Sequence, residues 1–522
     1  MANSASSTPH FARQTSTVAG ATIVSRITGL VREQVIAYYL GAGAMTDVFV
    51  AAFRIPNLLR DLFAEGAFSA AFVPTFSRVL KNDGRPAAFL LLNRVLGVFV
   101  PVLALICLLG IIFTPQIAGL IAGGVEQTPG KTELLIQLAR WMFPFLLLVS
   151  LAAAFMGALN ALGKFGLPAL APTGFNLGVV LGAVILSRWA DPPLLALAWG
   201  VLLGGLLQWG AQAVLARRMG FRMAARSGWR DPDVRKMVSL MLPALIGVAA
   251  IQVNIFAITR FAWTLGDGPV AYLNFAYRVI FLPLGVFAVA AATVGLPRLS
   301  QYVAAGEEDQ ARATFIQAVK TVTYLVIPTA VAFVILAEPL CAALFQRGRF
   351  DAAASLHTAR ALKYYSLGLP AMATLRVTAP IFYAHGDTRT PAYCGVASVV
   401  ANLIGMQLLA GPMGYAGLAL SVALSSVIQV SALWYIGHRR YGPLEIVTMV
   451  THVGIVLAAA LISVGAGWVI WRYLPFTGAA WGRVGGITLA ILVAAALYLG
   501  ITWVLGYRDL GGMRRLRRPP KQ

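Results

Sequence analysis

"ALGKFGLP" at residues 161–168 returns as "AHGDTRTP" at 384–391, 223 residues further on and in the same A-x-G-x4-P frame. Three further pairs keep nearly that offset. "FVPTFS" (72–77) matches "GLPRLS" (295–300), and "LALAWGVLLGGLLQ" (195–208) matches "GLALSVALSSVIQ" (417–429). "LGAG" and "FRIP" (40–43, 53–56) are echoed by "LGDG" and "YRVI" (265–268, 277–280). One such match would be noise in a chain rich in alanine and leucine. Four in order define an internal repeat, and a repeat decides the architecture.

The repeat lies in a very apolar chain. Of its 522 residues 59% are hydrophobic and 11% charged, with a mean hydropathy of +0.78. Soluble domains carry roughly 25% charged residues. Apolar runs long enough for a bilayer core of about 30 Å recur along the chain. Length and loop breakers predict about fourteen helices. Their approximate spans are 17–40, 45–78, 87–114, 133–162, 167–188, 194–216, 235–264, 269–300, 310–343, 353–384, 391–411, 414–437, 446–474 and 484–507. The repeat offset spans an even number of these helices, so the two copies run parallel, a plan that places a site at their interface. The expected fold is an all-α polytopic membrane protein with two six-helix lobes and two additional C-terminal helices. The corresponding divisions are 1–222, 223–445 (basic linker and second lobe) and 446–522 (last two helices and basic tail).

The net charge of +22 follows the distribution expected of a membrane protein rather than of a nucleic-acid binder. With the N-terminus inside, the inner loops collect Arg78, Lys81 and Arg85, the linker arginines 217–235, Arg439 and Arg440, and the tail. The outer loops hold few basic residues, among them Lys131 and Arg188. Both termini are therefore expected in the cytoplasm, and the polar N-terminus reads as lacking a cleaved signal peptide. Cys107, Cys341 and Cys394 and the five histidines are dispersed, which fits neither a disulfide framework nor a metal site. "GVEQTPGKT" (124–132) has five residues between its glycines, one too many for a phosphate-binding loop. No catalytic constellation, cofactor or metal is expected. The parallel repeat favours a transporter over an enzyme.

Charges inside the spans carry the chemistry, because an ionisable group within a membrane helix is expensive and faces a partner or a cavity. Helix 1 holds Arg26 and Arg32; helix 2 holds Asp47, Arg54, Arg60, Asp61 and Glu65; helix 8 holds Arg278, the repeat equivalent of Arg54. Asp47, Arg54 and Asp61 are spaced by seven and share a face, so Arg54 divides between self-pairing and a ligand. Arg26, Arg60 and Arg278 have no acid at i±3 or i±4, which favours a ligand. Arginines converging on one cavity suit an anion, since guanidinium forks match phosphate oxygens and stay charged.

At these residues the chain resembles the MurJ/MviN family of bacterial lipid II flippases, part of a superfamily that includes MATE exporters. The matching strings are "SRITGLVRE" (25–33), "TDVFVAAFRIPNLLRDLFAEGAFSAAFVP" (46–74), "LNALGKFGLPALAPTGFN" (159–176) and "LPLGVFAVAAATVGLPRLS" (282–300). The resemblance covers nearly the whole chain. It implies outward flipping of undecaprenyl-diphosphate-linked disaccharide-pentapeptide (lipid II) in the bacterial cytoplasmic membrane, with membrane lipids and cell-wall synthesis machinery as partners and a monomer as the working unit. By motif position it implies Arg26, Arg32, Arg60 and Arg278, with Asn57, as substrate-binding residues. Asp47, Arg54, Asp61 and Glu65 become a conformational or polar network, and the last two helices a groove for the isoprenoid tail. The chain departs from the family at Tyr277, where an acid is common, and at Phe281, where some members have one. Asn254 stands in helix 7, where some relatives use acids to bind sodium. The rival expectations are a flippase for another polyprenyl-diphosphate glycan and a MATE-like small-molecule exporter.

Overall fold

The computed structural model describes residues 8–123, 128–190, 192–224, 226–288, 298–473 and 480–507. Helix dominates, and no strand occurs among the described residues. This is the outcome a bilayer imposes, since an apolar solvent offers backbone N–H and C=O groups no partner and a helix satisfies them internally. Ten helices among the described residues are long and apolar enough to cross a membrane. The first such run, Ala44–Ile112, is 69 residues long and contains two of the expected spans. It breaks at Gly84, whose φ of 81° lies in the left-handed region that glycine reaches without steric cost. The expected spans 17–40, 235–264 and 353–384 also fold as helices, Thr8–Leu40, Pro232–Thr264 and Ala352–Ala384. Two expected spans are each split. Phe143 and Pro144 separate Lys131–Met142 from Phe145–Ala161, and Leu336 separates Glu308–Ile335 from Ala337–Phe345.

The chain forms two compact units, Met1–Ala271 and Tyr272–Gln522. In the first, α1 (Thr8–Leu40), α2 (Ala44–Arg60), α3 (Ala67–Ile112), α4 (Thr114–Ala122), α5 (Lys131–Met142), α6 (Phe145–Ala161), α7 (Gly166–Val184), α8 (Leu195–Arg218) and α9 (Pro232–Thr264) follow in order. Phe68, Phe72 and Phe76 stack along α3 and fill a core with Phe155 and Met237. Asp231 caps α9 by accepting from the N–H groups of Asp233 and Val234 (2.9 and 3.1 Å), with Pro232 at the first helical position, where its missing N–H matters least. The α9 start also packs against α3, so α9 belongs with the first compact unit, whereas the repeat begins its second copy before α9.

Close packing of α7 on α8 depends on glycine. A Cβ at Gly182 would stand 2.6 Å from the Ala196 carbonyl oxygen and 2.8 Å from Gly200 Cα. Small residues at such crossings let helices approach where lipid supplies no hydrophobic drive. Gly182→Val is expected to lower stability by about 1–3 kcal/mol, read as a lower unfolding midpoint in detergent. An unchanged midpoint would show that the crossing relaxes.

In the second unit Ala352–Ala384 packs against Glu308–Ile335 and Tyr415–Tyr441, while Ile446–Tyr473 and Ala480–Val504 pack on each other. Tyr324 accepts or donates to Thr502 through its hydroxyl (2.8 Å), Tyr498 donates to the Tyr324 carbonyl (2.7 Å), and His452 lies between Thr323 (3.1 Å) and Tyr507 (2.9 Å). These bonds fasten the last two helices to Glu308–Ile335.

The repeat is visible in local structure. At "ALGKFGLP" the N–H groups of Leu162, Gly163 and Lys164 donate to the carbonyls of Ala158, Asn160 and Leu159. At "AHGDTRTP" those of His385, Gly386 and Asp387 donate to Ile381, Tyr383 and Phe382. Both glycines are left-handed (φ 76° and 74°), as a helix end of this type requires. A π-helical turn begins at Asp61 and another at Leu284, again 223 residues apart. The Glu65 side chain, residues 295–297 of "GLPRLS" and the basic tail beyond 507 lie outside the described residues.

Candidate functional site

The helix-2 signature folds as α2 followed by a π-helical turn, Asp61–Gly66. Such turns widen the helix and recur at functional sites. α2 is buried all round from Thr46 to Ala52 and again at Ile55 and Pro56, while Arg54, Asn57 and Arg60 are half-buried. At the wide turn Asp61 is held on two sides. Arg60 donates to its Oδ1 from Nε (3.0 Å) and from a terminal nitrogen (2.6 Å), while Gln252 of α9 donates to Oδ2 (3.2 Å). The acidic partner of Arg60 thus stands at i+1, outside the i±3 and i±4 positions.

The two acids of the Asp47–Arg54–Asp61 stripe have separate partners. Asp47 is fully buried at the start of α2. Its carboxylate accepts from the backbone N–H groups of Gly268 (2.7 Å) and Ala271 (2.8 Å) and from Lys131 Nζ (3.1 Å). Lys131, also buried, donates to Asp267 (2.7 Å) and sits over the Trp263 ring at 4.3 Å. Thr128 donates to Asp267 as well. Burial pushes the Asp267 carboxyl up, but the hydrogen bonds from Lys131 and Thr128 outweigh it and hold the group below the usual carboxylate range. One lysine thus ties the start of α2, the start of α5 and the loop after α9 into a buried ionic latch. Sequence alone places Lys131 as an outer-loop charge. Its rarity in those loops was the available signal.

Arg32 is buried on α1. It donates to Glu33 and to Asn176 Oδ1 (3.0 Å) and lies over the Phe175 ring at 5.3 Å. Asn176 in turn donates to the Ser25 carbonyl (3.2 Å) and Thr28 (3.0 Å), so Arg32 joins α1 to α7. Arg26 is half-buried on α1. In the second unit Arg278 is exposed on α10 (Pro269–Pro283) beside Tyr277, whose ring contacts Phe281 and Tyr365 at 5.9 Å each. Aromatic packing thus occupies the two positions where the chain departs from the family's acids. Within the first unit Arg32 is joined to α7 and Arg60 to the wide turn. No group of three or more His, Cys, Asp or Glu that could hold a metal occurs among the described residues.

Ten membrane-length helices in the described residues, with buried charges at Asp47 and Lys131 among them, define a polytopic membrane protein. Solved structures of that class share the fold. A lipid II flippase MurJ in an inward closed conformation aligns with a TM-score of 0.78 at 24% identity, covering 94% of this chain and 99% of its own. An inward-facing MATE-family multidrug resistance transporter aligns with a TM-score of 0.67 at 15% identity, covering 80% and 94%. In sequence, the lipid II flippase MurJ of Burkholderia cenocepacia is 32% identical over 514 residues, 96% of this chain and 98% of the relative. A probable lipid II flippase MurJ of Vibrio cholerae is 34% identical over 505 residues, 94% and 95% of the two chains. Residues 36–505 match the family of lipid II flippase MurJ, and the chain belongs to that family.

Proposed function

We propose that this chain flips lipid II, the undecaprenyl-diphosphate disaccharide-pentapeptide, from the inner to the outer leaflet of the bacterial inner membrane by alternating access. The observation that carries the reading is family membership across residues 36–505, supported by the cationic residues on α1, α2 and α10. Arg26, Arg32, Arg60, Arg278 and Asn57 bind the headgroup, and Arg60 exchanges its Asp61 partner for a phosphate oxygen of the diphosphate. Asp47, Arg54, Asp61 and Glu65 form the conformational network, in which the Asp47–Lys131–Asp267 latch holds one state. The lobes divide as 1–222 and 223–445, followed by 446–522. Both termini are cytoplasmic, and the protein works as a monomer beside the cell-wall synthesis machinery. A potential of 100 mV, inside negative, favours outward movement of two negative charges by about 4.6 kcal/mol, at about 2.3 per charge.

Depletion of the protein in its host is the decisive test. Inner-leaflet lipid II is expected to accumulate before lysis. Normal lipid II turnover with loss of another surface glycan would replace this substrate.

A further inference from the structure

The segment between α8 and α9 is held by its backbone and its acids while its arginines face outward. Phe221 is buried between the rings of Phe89 and Phe155, at 5.5 and 5.4 Å. Asn93 of α3 grips the next turn, donating to the Arg222 carbonyl (2.9 Å) and accepting from the Ala224 N–H (3.0 Å). Two glycines permit the strap to lie flush on α3. A Cβ at Gly97 would collide with the Arg226 carbonyl, and one at Gly228 with the Arg94 carbonyl. Asp231 accepts from Arg94 and Asp233 from Arg78, each at 2.5 Å, so both acids are matched by arginines of α3. Arg217, Arg218, Arg222, Arg226 and Arg230 remain exposed, with Met223 and Trp229 more than half exposed among them.

We propose that this strap is a docking site for anionic phospholipid headgroups at the membrane surface. Its guanidinium groups bind the lipid phosphodiesters, and Met223 and Trp229 enter the interfacial layer. Three features favour a lipid. The strap leaves α8, a membrane-length helix, at Arg218, which keeps it near the bilayer surface. Apolar side chains alternate with arginines, and tryptophan prefers the headgroup level. Basic segments beside membrane helices attract anionic leaflets. Nucleic acid would instead call for a series of stacking aromatics, and Trp229 is the lone aromatic in the sequence 222–230. Because the backbone is already pinned, less conformational freedom is lost on binding than by a flexible tail. The proposal stands apart from the identity of the transported molecule.

The test uses the full chain in nanodiscs. The three native cysteines are buried, so Trp229→Cys allows selective attachment of an environment-sensitive fluorophore. Replacing phosphatidylcholine by phosphatidylglycerol is expected to blue-shift its emission, and raised salt to reverse the shift. With Arg222→Gln, Arg226→Gln and Arg230→Gln combined, binding should weaken by at least about tenfold, and less phosphatidylglycerol should co-purify. The same substitutions at Arg514, Arg515 and Arg517 in the tail should leave the probe unmoved. Equal emission in both lipids, an unaffected triple variant, or arginine-dependent binding of a short RNA without a phosphatidylglycerol response would overturn it.

Discussion

Lys131→Met is expected to destabilise the protein by about 3–5 kcal/mol, the effect of leaving a buried charge without its partner. Asp47 is fully buried, and Lys131 is its ion-pair partner at 3.1 Å. Asp47→Asn should be milder, about 1–3 kcal/mol. The amide oxygen still accepts one of the Gly268 and Ala271 N–H groups, and Lys131 keeps Asp267 at 2.7 Å. Together the two substitutions should cost less than their sum, because removing both charges removes the unpaired one, while the partly exposed Asp267 is solvated by water. Chemical unfolding of the four proteins in detergent reads the cycle. Additive losses, or a Lys131→Met variant within about 1 kcal/mol of the parent, would show that the latch is not an ion pair that matters.

The latch also marks where sequence reading stopped. Helices were legible because a bilayer forces apolar backbone into them, and the repeat was legible because the Gly163 and Gly386 helix ends need left-handed backbone. Partners across the fold were not. Lys131 meets Asp47 across 84 residues and Arg32 meets Asn176 across 144, and no helical periodicity encodes either. Asn176 closes a string read for its family resemblance, yet nothing in that string says which arginine it receives. The Arg60–Asp61 pair was missed for a different reason. Neighbours on an ideal helix diverge by about 100°, so helical spacing points to acids at i±3 and i±4 and not at i+1. The structure places that pair where α2 passes into the π-helical turn. The breaks at Phe143–Pro144 and Leu336 were likewise hidden, because apolar composition runs through both.

Arg60 provides the sharpest test of the proposed headgroup site. Arg60→Ala should lower affinity for a polyprenyl-diphosphate lipid by roughly 10- to 100-fold, corresponding to loss of a charged hydrogen bond of about 1.5–3 kcal/mol. It should also abolish rescue of a host depleted of the native protein. Arg60→Lys keeps the charge but loses the fork that reaches two oxygens, so it should fall between Ala and the parent. Asp61→Asn separates this role from a structural one. If Asp61 only fastens the wide turn through Arg60 and Gln252, its neutralisation weakens stability and binding together. If it occupies Arg60 until the diphosphate arrives, neutralisation removes a competitor, and diphosphate binding tightens even as the unfolding midpoint drops. Binding is measured with the purified chain in nanodiscs, and the midpoint by tryptophan fluorescence. An Arg60→Ala variant that inserts normally, binds the lipid as the parent does and restores growth would remove Arg60 from the site.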